Sequence, residues 1–308
     1  MMASFCLTRY STIALLAATL ALPAISSAYA QQSFKSPEDA AAALASAVKS
    51  GAPDDVLKVL GSDAAEIVDS GDSVADADTR QRFLSAYDDK HSITYDGDKK
   101  AVLIIGRDDF PFPIPLIRGK RGWGFDTAAG RQEILYRRIG RNELDAIQTM
   151  LALVDAENEY ADKDRGAGAG AYAQRIVSSP GKKDGLYWPS DGDESPLGEL
   201  AAQASADGYK ISGEPQPFHG YYYRILTRQG PNAPGGELNY VVDGKMIGGF
   251  AVVAYPAEYG NSGVMTFAVN HAGTVYQKDL GDRTESIAKR MTSFNPDQTW
   301  KKVDTSSR

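Results

Sequence analysis

From Ala128 to Ala161 the chain carries its longest periodic segment, and Leu144, Ile147, Leu151 and Val154 recur there at steps of three and four. Such a stripe predicts a long helix that must lie on an apolar surface supplied by the rest of the chain. Gly140, followed by Asn142 as an N-cap, predicts a kink or break inside it. A glycine-rich loop, "DRGAGAGAYA", follows. From Gly185 onward short strand patterns dominate: "YYYRIL", "LNYVVDG", "GGFAVVAYP", "GVMTFAVN" and "GTVYQKDL", with a last helix near Thr284 to Met291. The long helix therefore finds its surface in an antiparallel sheet.

Before the long helix the pattern is different. Ser36 and Pro37 start a helical region reaching Asp69, and "TRQRFLSAYDDK" reads as one more helix. Then "SITYDG", "KAVLIIG", "PIPLIRG" and "GWGFDT" read as a small antiparallel sheet. The fold class is α+β, with N-terminal helices and a small sheet, then a long helix packed on a second sheet. The boundaries expected are 1–30 for a leader, 31–127 for the first domain and 128–308 for the second.

The leader has a basic Arg9, an apolar stretch from Ser11 to Ile25, and small residues at Ala28 and Ala30 before Gln31, the pattern of a signal peptide cleaved after Ala30. The expected location is periplasmic or secreted, with no integral membrane segment after cleavage. Cys6, the single cysteine, leaves with the leader, so disulfides, thiol catalysis and cysteine metal sites are excluded and a packed core must hold the mature chain. The net charge of −7, or −8 without Arg9, disfavours nucleic acid as a partner.

The stretch "PFHGYYYRILTRQGPNAPGG" holds the densest set of candidate ligand residues. Strand alternation sends Tyr221 and Tyr223 to one face and Tyr222 and Arg224 to the other. Tyrosines give flat contact surface, Arg224 can fork onto a carboxylate or phosphate, and His219 is of the residue type that serves as a general base near neutral pH. The irregular "RQGPNAPGG" reads as a recognition loop. Trp188 joins these as a ligand candidate. Asp191, Asp193 and Glu194 in "SDGDESPLGE" are oxygen ligands for a hard cation such as calcium, although Pro196 and Ala202 stand where an EF-hand needs glycine and glutamate. No other cofactor is evident. Ser286 and Lys289 have S-x-x-K spacing without the companion motifs of that enzyme class, and the "GAGAGA" run lacks the strand-to-helix setting of a dinucleotide fingerprint.

The stretches "GWGFDTAAGRQEILYRRIGRNELDAIQ", "SSPGKKDGLYWP", "HGYYYRILTRQGPNAPGG", "GGFAVVAYPAEYGNSGVMTFAVN", "VYQKDLG" and "FNPDQTW" resemble a bacterial exported family known as a domain of unknown function, DUF2950. The resemblance brings no activity with it. The segment from the long helix through "AYAQRIVSSPGKKDGLYWP" to the last strands is also similar to the globular part of type II secretion pseudopilins, which implies one helix laid on an antiparallel sheet. The function expected is a non-catalytic envelope binding or assembly module, partnered by another envelope protein or polymer. The alternative is a hydrolase of an envelope polymer such as a glycan or peptide.

Overall fold

The computed structural model describes residues 31–189, 192–211 and 215–304. The leader expected over residues 1–30, with its expected cleavage point, lies outside these residues. In the N-terminal half the Ser36 side chain accepts from the Asp39 amide and Pro37 fills the first turn, which starts α1 (Pro37–Ser50). Short helices α2 (Pro53–Leu60) and α3 (Ala65–Val68) lead to α4 (Ser73–Asp89), capped by Asp72. Next come β1 (His91–Asp96), β2 (Lys100–Ile105), β3 (Phe110–Pro111), β4 (Leu116–Gly119) and β5 (Gly122–Phe125), paired in the order β1-β2-β4-β5 with β3 against β2. Ala101, Leu103 and Ile105 alternate inward along β2, and the helices cover that face alone.

Asp126 caps α5 (Thr127–Ala161), an unbroken helix of 35 residues. This corrects the break expected at Gly140. A glycine inside a helix costs about 1 kcal/mol relative to alanine, and contacts with both halves of the molecule outweigh it. Asn142 is no cap: it is buried, and its side chain donates to the Ser262 carbonyl at 2.8 Å. The apolar stripe is also rotated from its expected place. Ile147 and Val154 are buried and Leu151 half-buried, but Leu144 is 47% exposed. Besides Ile147 and Val154, the side chains facing the core are those of Ala146, Met150, Leu153, Ala156 and Tyr160. Two stripes offset by one or three residues satisfy the same 3.6-residue period, and only the partner surface chooses between them.

The C-terminal half contains α6 (Gly198–Ala206), β6 (Tyr221–Leu226), β7 (Arg228–Gln229), β8 (Leu238–Asn239), β9 (Val241–Val242), β10 (Lys245–Met246), β11 (Ala251–Pro256), β12 (Met265–Asn270), β13 (Tyr276–Asp279), α7 (Thr284–Arg290) and β14 (Lys301–Lys302). Its main antiparallel sheet runs β14-β13-β12-β11-β6, while β7–β8 and β9–β10 form two-stranded ribbons. Helix α5 packs against β11 and β12, and α7 packs against β11. Every residue of β11 is buried, and so is every residue of β12 after Met265.

Polar groups join the halves. Asp72, 1% exposed, accepts from the Val74 and Ala75 amides of its own helix and from the Tyr209 hydroxyl at 3.0 Å and the Gly220 amide at 2.8 Å across the junction. Arg138 on α5 donates to the carbonyls of Glu66 and Ile67 and to Asn261 Oδ1, each at 2.6 Å. Within the C-terminal half, Glu143 of α5 accepts from the Val264 and Met265 amides at 3.0 Å. Among the described residues no helix is long and apolar enough to cross a membrane.

Candidate functional site

The site is built outward from the entry to β6. His219 and Gly220 both take left-handed backbone, with φ of 51° and 75°, and this turns Phe218 back so that it exchanges backbone hydrogen bonds with Tyr221. Gly220 is required on two counts, since a Cβ there would lie 2.4 Å from Asn142 Nδ2 and side chains rarely adopt so positive a φ. Beyond this turn the strand alternates as its sequence predicts. The Tyr221 hydroxyl donates to the Met265 carbonyl at 2.9 Å and its ring lies against Phe267, whereas Arg224 on the opposite face reaches the C-terminal carbonyls of Ala288 and Met291 around α7, each at 2.6 Å.

A cleft of about 440 Å³ lies beside β6. Tyr222, Tyr223, Arg224 and Ile225 form one wall, Leu200, Ala201 and Ala204 of α6 another, and Gln174 to Val177 a third. Thr149 and Leu153 of α5, with Tyr187, Leu197, Tyr209 to Ile211, Phe218 and Pro215 to Pro217, line the rest. The walls are mostly apolar, with Arg175 and Lys210 as cations beside Arg224. Burial pushes the Tyr223 hydroxyl well above the usual tyrosine range, so it stays protonated as a donor; it reaches the Phe218 carbonyl at 3.4 Å.

The sequence candidates divide among three places. Tyr223 and Arg224 line the cleft. His219 stands next to it, its ring 4.1 Å from that of Phe218 and its Nδ1 3.9 Å from Asp145 Oδ2, with both side chains about one-third exposed. Among the described residues no hydroxyl hydrogen-bonds the His219 ring; the Tyr209 hydroxyl meets its backbone amide instead, at 3.3 Å. Tyr221 is a core residue with no exposure. Trp188 is buried away from the cleft lining, its indole N–H donating to the Asp193 carbonyl at 3.0 Å and its ring flanked by Arg165 and Lys183.

Asp191 lies outside the described residues. The Asp193 carboxylate meets Lys183 Nζ at 3.0 Å, and Lys183 first among nearby groups holds it below the usual carboxylate range; Glu194 is exposed. Among the described residues no three His, Cys, Asp or Glu side chains gather to hold a metal. The "RQGPNAPGG" loop is not among the residues lining the cleft. It is tied down by Gln229, which donates to the Pro234 and Gly236 carbonyls, and by Gly230 and Asn232, which bond to Phe294 and Asn295. Ser286 donates to the Arg283 carbonyl and Lys289 pairs with Glu285, so the S-x-x-K spacing forms no dyad.

Sequence reasoning missed most of the cleft: Thr149 and Leu153 on the long helix, Leu200, Ala201 and Ala204 on α6, and Tyr209. Small residues at Ala201 and Ala204 of a short helix are the one local signal, since they leave room beside them. A buried carboxyl was missed as well. Glu157 has no exposure, one oxygen accepting from the Ala173 amide at 2.9 Å and the other without a partner, and burial raises it well above the ordinary glutamate value.

No curated protein and no solved structure matches the chain. A family model does: that of the protein of unknown function DUF2950 covers residues 31–303, and the chain belongs to that family.

Proposed function

We propose that this chain is an exported, non-catalytic binding module of the cell envelope, with a 31–127 domain bracing a 128–308 domain whose cleft beside β6 holds the ligand. The carrying observation is the cleft itself. Its volume of about 440 Å³ lies inside the range of about 300–1,000 Å³ typical of ligand clefts, and mostly apolar walls with a few convergent polar groups are the usual composition of such sites. Export rests on the leader pattern before Gln31. Helix α5 lies on the antiparallel sheet at β11 and β12, and its charged N-terminal portion speaks for a monomeric module over a filament.

Titration with anilinonaphthalene sulfonate tests the reading. The expected result is one saturable dye site per chain that disappears in Ala204→Trp, which projects bulk into the cleft from α6, with thermal unfolding unchanged. Equal binding by the two proteins would overturn it. The His219–Asp145 pair supports the second reading, a hydrolase in which the imidazole activates water beside the cleft. Under that reading His219→Ala abolishes hydrolysis of a peptidoglycan or casein substrate while dye binding persists; no hydrolysis by the unmodified protein rejects it.

A further inference from the structure

The sheet order leaves β6 at an edge, laddered only to β11. Tyr221 exchanges its backbone bonds with Phe218, and Pro256 opposite it has no N–H to give, so Tyr221 turns its backbone groups away from β11. Alternation then sends those of Tyr222, Arg224 and Leu226 into the ladder and those of Tyr223 and Ile225 outward. Thr227, the next outward residue, accepts from the Tyr240 amide at 3.0 Å. The edge is therefore closed at Phe218 and again at Tyr240, and among the described residues it is open between them at two residues. Four consecutive residues of β6 line the cleft, which places the cleft along this edge and not over one face of the sheet.

Resting on the cleft as a binding site, we propose that its ligand is an extended peptide segment of another envelope protein, added to β6 as a further strand. The outward N–H and C=O groups of Tyr223 and Ile225 supply four main-chain hydrogen-bonding groups, enough to fix about three residues of extended chain. Alternate apolar side chains of the peptide enter the pocket between Leu153, Leu200 and Ala204. Lys210 lines the same cleft with no acidic residue among the described lining, and Arg175 beside it is held only by a long 4.0 Å contact to Asp184, so within a chain of net charge −7 the cleft favours a peptide carrying an aspartate or glutamate. An exposed strand edge left without proline, lysine or a bulge is an invitation to pairing, and β6 has none of these at Tyr223 or Ile225.

The test is selection of a phage-displayed random dodecapeptide library on the full chain, followed by amide hydrogen exchange with the selected peptides in synthetic form. The expected peptides alternate apolar residues with at least one acid. They slow exchange at Tyr223 and Ile225 by at least tenfold and lose binding at least tenfold when N-methylated at alternate amides in one register, but not in the other. Selected peptides that leave exchange at both residues unchanged, or that tolerate N-methylation in both registers, overturn strand addition. A dye site in the cleft with no selected peptide removes strand addition and leaves the cleft reading standing; absence of both removes both.

Discussion

The two sheets of this molecule solve the same problem differently. In the N-terminal sheet burial alternates along β2, with helices on one face and water on the other, and the edges and turns carry exposed ion pairs such as Lys90–Asp109 and Arg107–Asp89. In the C-terminal sheet β11 is buried throughout. Among the described residues, every buried side-chain polar atom without a partner belongs to the C-terminal half: Glu157, Arg165, Ser195, Arg224 and Thr266. A sheet covered once can shed its awkward polar groups into water, whereas one covered twice must enclose them. The cleft belongs to the half that bears this cost.

Removing a ring from the doubly covered sheet should have the largest effect. Phe267→Ala is expected to lose about 3–5 kcal/mol in denaturant unfolding, and Val102→Ala on the outer face of β2 less than about 1 kcal/mol; similar losses would erase the contrast between the sheets. Next comes the junction. Asp72→Ala strands the Tyr209 hydroxyl and the Gly220 amide and uncaps α4, a loss of about 3 kcal/mol from charged hydrogen bonds and a cap. Asp109→Ala, which breaks an exposed pair, should cost under about 1 kcal/mol by the same assay. Gly220→Ala meets both a left-handed backbone and the Asn142 side chain, and should destabilise by more than about 1 kcal/mol. The corresponding change at Gly51, at φ 73° with open space around it, should cost less.

A smaller effect depends on pH. The Glu157 carboxyl keeps its proton in the fold at pH values where the unfolded chain has lost it, so the folded state binds more protons. Stability therefore falls as pH rises above the ordinary glutamate value of about 4.3 and levels off once the folded protein also releases the proton. In Glu157→Gln this part of the slope should vanish when melting temperature is followed from acid to neutral pH. An unchanged slope would show that the carboxyl is not buried in neutral form.

What the sequence made legible was local. Ser36 and Pro37 announced α1, the alternation in "YYYRIL" placed Tyr221 and Arg224 on opposite faces, and the helix-then-strand order gave the α+β class. What it hid depends on residues far away. Leu144 and Met150 satisfy the helical period equally well, and only the sheet decides that Met150 is core, so Leu144→Ala should change stability by no more than about 0.5 kcal/mol. Asp72 meets a partner 148 positions later, and the openness of β6 is a property of strand order that no short run of residues can state.

Helix α5 also sets an order of events. Its side chains near Arg138 and Asn142 bind partners 120 or more positions downstream, at Asn261 and Ser262, while β1 and β2 form a hairpin from adjacent sequence. Loops of that length close late, and contacts of high sequence separation slow folding. During synthesis the first sheet can assemble as soon as it emerges, but α5 holds an apolar stripe in the open until β11 and β12 arrive. The chain thus has an interval in which a partial product is sticky and protease-sensitive, and its length is set by the delay before residue 270 is delivered.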